Sequence, residues 1–212
     1  VNQNFYTRYG KRWFDIAASL AALIVLSPIL AALAIAVRLG LGSPILFRQP
    51  RGGYRQGVFQ ILKFRTMTEE RDASGEYLPD SARLRPIGRF LRATSLDELP
   101  ELFNVLKGDM SLVGPRPLLT RYQPWYTPEE SQRFEMRPGI TGLAQINGRN
   151  AIGWSERFHF DVFYVQNCGF LLDFHILLRT VVKVLLREDV HVDTTKAGVS
   201  LDDERKTQKC VS

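Results

Sequence analysis

The sequence predicts a mixed α/β chain: an N-terminal re-entrant membrane helix carrying a cytoplasmic-face domain of amphipathic helices and a small β-hairpin or sheet. Three observations predict it. The run "IAASLAALIVLSPILAALAIAV", residues 16–37, contains no charge. Two short apolar stretches, "PILFRQ" and "VFQILKF", flank the turn-rich basic loop "PRGGYRQG". Beyond them, apolar residues recur at helical spacing beside arginine and lysine. At 212 residues and 45% hydrophobic, the chain suits one domain with a real core. It is drawn here as residues 1–187, followed by a polar tail at 188–212 expected to hold little fixed structure.

The apolar run is just long enough, at about 1.5 Å per residue, to cross a hydrocarbon core of about 30 Å. A signal peptide fits poorly, because the run is long and "RLGLGSPILFRQP" beyond it offers no convincing cleavage site. A buried core helix is the plain alternative, but a soluble domain of this size rarely encloses so long an apolar helix. Ser27-Pro28 sits mid-run, where proline removes a backbone hydrogen bond and favours a kink that the serine can partly satisfy. Arg8, Lys11 and Arg12 precede the run, and Arg38, Arg48, Arg51 and Arg55 follow it, so both flanks favour the cytoplasm. The expectation is a helix over 11–38 that enters, bends at Ser27-Pro28 and returns. A straight span that tolerates Pro28 is the alternative.

Residues 44–49 and 58–64 read as a β-hairpin. "TMTEERDASGEYLPDSARL" is polar, with glycine and proline, and reads as a surface excursion. Arg83, Arg85, Arg89 and Arg92 with Ile87, Phe90 and Leu91 make a basic amphipathic element, either solvated or facing membrane or phosphate. Trp154, Arg157, Phe158, Asp161 and Tyr164 recur as a core-facing helical stripe. Residues 171–187 are almost wholly apolar with Arg179, Lys183 and Arg187 along one face, a pattern suited to a membrane interface or to a core with a solvated seam.

A net charge of +6 points to an anionic partner. Nucleic acid would use that charge but leave the apolar segment unexplained, so no nucleic-acid partner is expected. Cys168 and Cys210 imply no disulfide framework, and no Cys/His cluster has structural zinc spacing. The chemistry concentrates in "SLDELPELFNVLKGDMSLVGPRP", residues 95–117. A helix begins either near Pro100 or, through a Ser95/Glu98 capping box, earlier, and ends before Gly108. Asp97 and Glu98 therefore lie at a helix N-terminus, where acids are common for dipole reasons alone. Their company raises the functional reading: Arg116 in "GPRP", Arg92, and Lys63 and Arg65 in "LKFRTM" supply cations for phosphate oxygens. A carboxylate pair among such cations can hold Mg²⁺, and one carboxylate can attack phosphorus. Sequence alone leaves open which one attacks. No Walker A, kinase or dinucleotide motif is present.

"KRWFDIAASLAALIVLSP", "LKFRTM", "SLDELPELFNVLKGDMSLVGPRPL" and "RPGITGLAQINGRN" together resemble the bacterial sugar transferases called monotopic phosphoglycosyl transferases, over about Lys11 to Arg187. With no further spans ahead of the apolar run, the chain is similar to their small form, and "ERDASGEYLPDSARL" is similar to PglC-type members. The resemblance implies transfer of a sugar 1-phosphate from a UDP-sugar to undecaprenyl phosphate, giving an undecaprenyl diphosphate sugar and UMP at the cytoplasmic face of the bacterial inner membrane. This step initiates glycan or surface polysaccharide synthesis. It implies Asp97 as the nucleophile forming an aspartyl phospho-sugar, and Glu98 as partner to Mg²⁺ or to the acceptor. It also implies Arg116, Arg92 and Lys63 as phosphate ligands, and Ser27-Pro28 as the helix break. A PglC-like donor would be UDP-N,N'-diacetylbacillosamine. The competing expectation is a membrane-anchored nucleotide or lipid-phosphate binding module without catalysis.

Overall fold

The computed structural model describes residues 4–148, 152–186 and 199–211. Helix α1 runs from Lys11 to Leu41, preceded by a π-helical turn at Tyr6–Gly10. Strands β1 (Leu46–Gly52) and β2 (Val58–Phe64) form the expected antiparallel hairpin, in register from Leu46 opposite Phe64 to Gly52 opposite Val58. The hairpin thus takes in Pro50–Gly52, which the sequence pattern assigned to the loop. The polar excursion contains an isolated antiparallel bridge between Arg71 and Tyr77 and the short helix α2 (Asp80–Arg83). Then follow α3 (Pro86–Thr94), a 3₁₀ turn at Leu96–Glu98 and α4 (Glu101–Lys107). Strands β3 (Ser111–Val113) and β4 (Gly139–Thr141) pair in parallel, with 3₁₀ segments at Thr120–Trp125 and Glu130–Glu135 between them. The chain closes with α5 (Leu143–Ile146), α6 (Trp154–Asn167), α7 (Phe170–Leu186) and α8 (Leu201–Val211).

The helical pattern of α1 continues across Ser27-Pro28. Pro28 cannot donate to the Ile24 carbonyl four residues earlier, and Ser27 Oγ donates to that same carbonyl at 2.8 Å. The serine thus caps the group the proline frees. In the most apolar stretch of this helix 11% of residues are buried, whereas the core helix of a soluble protein would be mostly covered.

Both ends of α1 are gripped by the domain. At its start, Lys11 Nζ pairs with buried Asp173 Oδ2 at 2.6 Å, Arg12 donates to the carbonyls of Val105 and Leu106, and Asp15 accepts from Leu112 N at 3.1 Å. Tyr164 and Tyr6 complete the Asp173 cluster with hydroxyl bonds of 2.6 and 2.7 Å. Toward its end, Leu33 and Val37 pack with Phe64 of β2 and Leu91 of α3. A buried charge is tolerable only when so paired and hydrogen-bonded.

The expected stripe of α6 is confirmed in Phe158, Asp161 and Tyr164, all buried. Helix α7 turns Leu171, Phe174, Leu178, Val181, Leu185 and Leu186 outward, so its exposed surface is largely apolar, with Arg179 beside it. Arg187, the last member of the expected basic seam, lies outside the described residues. The expectation of little fixed structure in the tail is corrected for residues 201–211. Helix α8 docks through Leu201, fully buried against Leu118, Tyr122 and Phe158. The Leu201 contact is joined by the Arg205–Glu130 ion pair and by Trp154 Nε1 donating to Val199 O, which hold the helix although most of its side chains are polar.

Candidate active site

A cavity of about 920 Å³ opens between the hairpin, the excursion after β2, the Leu96–Glu98 turn, the Gly114–Pro117 loop and α6. Local geometry brings the sequence-predicted residues into it. Gly88 lets α3 lie directly on the chain after β2: a Cβ there would stand 1.8 Å from Thr66 O. That approach sets Arg92 Nε 3.1 Å from Thr66 Oγ1 at the cavity wall. Ser95 then adopts a left-handed conformation (φ 55°), which reverses the chain and starts the 3₁₀ turn carrying Asp97 and Glu98. The helix register left open by the sequence is thereby settled. Helix α4 begins at Glu101, after Pro100, and Ser95 makes no side-chain cap.

Buried Asn104 docks α4 on β2, accepting from Leu62 N at 2.9 Å and donating to Gln60 O at 2.8 Å. Lys63, the next residue, is thereby placed between two acids. Its Nζ stands 2.5 Å from Glu98 Oε1 and 3.2 Å from Glu101 Oε1. Arg116 Nη2 reaches the same Glu98 oxygen at 2.7 Å. The Arg116 loop is itself fixed. Gly114 N donates to Thr141 O, Gly139 N donates to Pro115 O, and Arg133 donates to Arg116 O at 2.7 Å while paired with buried Asp161 at 2.8 Å.

The two adjacent carboxylates therefore differ. Burial alone would raise the Glu98 pKa, but the charges of Arg116 and Lys63 hold it well below the usual carboxylate range. Asp97 lines the cavity and, among the described residues, makes no ion pair or side-chain hydrogen bond. Burial and then the Glu98 charge push its pKa up to about 6. Glu101 is pushed up to about 7 by burial and by the Glu98 charge. Arg116 is held above its ordinary value by Glu98.

Arg65 also lines the cavity, but its guanidinium donates to the carbonyls of Leu41 and Ser43, capping the end of α1. Ser27 and Pro28 lie within α1, apart from the cavity lining. Sequence reasoning missed Arg51 and Arg157 as cavity residues and Glu101 as a partner of Lys63, while Arg83, read as part of a basic element facing solvent, membrane or phosphate, also lines the cavity. Glu101 could have been found, since it follows Asp97 and Glu98 by four and three residues and so shares their face of any helical turn. Arg51 carried a signal only as one charge in a basic loop, and Arg157 as one member of a core stripe. Among the described residues the lining holds seven Arg and Lys side chains against four Asp and Glu, an excess suited to a polyanionic ligand.

The described residues contain no group of three or more His, Cys, Asp or Glu that could hold a metal. The donor set still fits Mg²⁺ carried by a phosphate ligand, which needs only one or two protein carboxylates. Among the described residues Asp97 is uncommitted, and the two cations on Glu98 both bind Oε1.

A family model described as bacterial sugar transferase matches residues 6–187. The chain belongs to the bacterial sugar transferase family. It is 53% identical over 180 residues to "Uncharacterized sugar transferase EpsL" of Bacillus subtilis, covering 85% of this chain and 89% of that protein. It is 41% identical over 198 residues to the UDP-glucose:undecaprenyl-phosphate glucose-1-phosphate transferase of Caulobacter vibrioides, covering 85% and 72%. It is 39% identical over 200 residues to the undecaprenyl-phosphate galactose phosphotransferase of Salmonella typhimurium, covering 86% of this chain but 42% of that protein.

Proposed function

We propose that the protein transfers a sugar 1-phosphate from a UDP-sugar to undecaprenyl phosphate, yielding an undecaprenyl diphosphate sugar and UMP. The observation that carries this reading is the division of labour in the dyad: Glu98 is neutralised by Lys63 and Arg116, while Asp97 faces a basic cavity with no ion-pair or hydrogen-bond partner among the described residues. An Asp97 Oδ attacks the β-phosphorus of the donor. The bond from that phosphorus to the bridging oxygen breaks, and UMP leaves with the electron pair. A phosphate oxygen of the lipid then attacks the phosphorus held on Asp97, and the Asp97 carboxylate departs. Arg116, Arg92 and Lys63 offset the phosphate charge, and Glu98 keeps the two nearest cations from quenching Asp97. Bound with the donor through Asp97 and Glu98, Mg²⁺ would supply charge neutralisation at the phosphate oxygens.

The names of the relatives support a UDP-sugar and undecaprenyl phosphate as a class; glucose and galactose, which two of those names carry, are the sugars we propose to try first, with N,N'-diacetylbacillosamine after them. The exposed apolar α1 and α7 support anchoring at the cytoplasmic face of the inner membrane, with α1 re-entrant. The test is UMP release from a panel of UDP-sugars in detergent with Mg²⁺ and undecaprenyl phosphate. Release that requires acceptor and metal, and disappears in Asp97→Asn, supports the reading. UDP-sugar binding without release from any donor would favour the non-catalytic binding module.

A further inference from the structure

Helix α8 lies beyond residues 6–187, the extent of the family match, yet it is fastened to the outer side of the active-site wall. Leu201 fills the pocket formed by Leu118, Tyr122 and Phe158, and Trp154 Nε1 donates to Val199 O at 2.9 Å. Arg205 pairs with Glu130, and Lys206 lies over the Trp125 ring at 6.0 Å. The groups gripped from outside are continuous with groups that line the cavity inside. Leu118 follows Arg116 by two residues, and Leu119 lines the cavity and bridges to Arg51. Trp154 lies under the guanidinium of Arg157, 4.3 Å from its ring centroid, and Arg157 lines the same cavity. Glu98 and Asp97 are carried instead by the turn between α3 and α4.

We infer that α8 is a clamp, with Leu201 and Arg205 as positioning residues that hold the Leu118–Leu119 and Arg157 wall for the donor. The inference rests on the transferase reading of the cavity. Arg116 is held independently of α8, by Glu98 at 2.7 Å and by Arg133 at 2.7 Å, so loss of the clamp should weaken donor binding while sparing the chemical step. A wall free to shift by an ångström or so no longer presents its guanidinium groups together.

The test uses the full chain. Leu201→Asp places a charge in an apolar pocket and should undock α8. Its expected signature is a donor KM raised about 5- to 20-fold with kcat within about 2-fold, whereas Leu201→Met keeps both values. Should Leu201→Asp fail to fold, the charge pair carries the test: Arg205→Glu raises KM, and Arg205→Glu with Glu130→Arg restores it. An unchanged KM in folded Leu201→Asp, a fall in kcat alone, or no recovery in the charge-swapped double variant overturns the clamp. If the wild type releases no UMP, the transferase reading fails instead, and UDP affinity of the same proteins by calorimetry decides the clamp by the same fold-changes.

Discussion

At the scale of single residues, the site works because three carboxylates within five positions have been given different surroundings. Asp97→Asn should lower the rate of UMP release by about 10³-fold or more while the protein still binds donor, because it removes the proposed nucleophile and leaves the cationic wall intact. Progress curves beside donor-binding isotherms check this. Glu98→Gln has a different expected outcome: Lys63 and Arg116 lose their shared counter-charge, so donor binding holds or tightens while turnover falls. Glu101 yields a pH prediction. Its folded pKa, about 7, lies above the ordinary carboxyl value, so the folded state binds more protons than the unfolded state between about pH 4.5 and 7. Stability from this group is thus present at low pH and lost as pH rises through 7. Glu101→Gln should raise Tm at pH 8 by several degrees and change it little at pH 5, read by thermal melts in detergent at the two pH values.

At the scale of elements, what the sequence made legible is what local chemistry dictates. The turn residues between two alternating runs specified the hairpin, and Pro100 and Gly108 bracketed α4. The apolar run specified α1, which runs unbroken through the Ser27-Pro28 step where a bend was expected. What was not legible depends on which distant partner each side chain meets. Arg65 reads as a phosphate ligand from its neighbours, but the fold brings it to the end of α1, where it caps carbonyls more than twenty positions earlier. The docking of α8 was hidden for the same reason, since Leu201 gains its meaning only from a pocket built by Leu118, Tyr122 and Phe158. Gly88 is another such position, a plain helix glycine in sequence but in the fold the contact that seats α3. Gly88→Ala should push α3 away from Thr66 and displace Arg92. The expected cost is about 2 kcal/mol or more, read as a lowered denaturation midpoint together with weaker donor binding.

At the scale of the whole molecule, the decisive relation is between α1 and the domain. A 31-residue helix is about 46 Å long, more than a bilayer core needs. Its first turns are tied to α4, β3 and α7 through Arg12, Asp15 and Lys11. Its last turns are tied to β2, α3 and Arg65 through Val37, Leu33 and the Leu41 carbonyl. The tied elements belong to one domain, in which Asn104 joins α4 to β2 and Lys63 joins β2 to the turn bearing Asp97 and Glu98. A domain on one side of a bilayer cannot hold both ends of a helix that crosses it. Large apolar side chains stand exposed along α1 from Trp13 to Leu39, and its middle holds the Ser27-Pro28 step, where the missing backbone donor makes a bend inside lipid least costly. Single cysteines at positions 8 and 55, in a chain lacking Cys168 and Cys210, should therefore react with a membrane-impermeant maleimide from the same side of sealed vesicles. Labelling from opposite sides would show a straight span, and the contacts at one end of α1 would then have to be absent in the membrane.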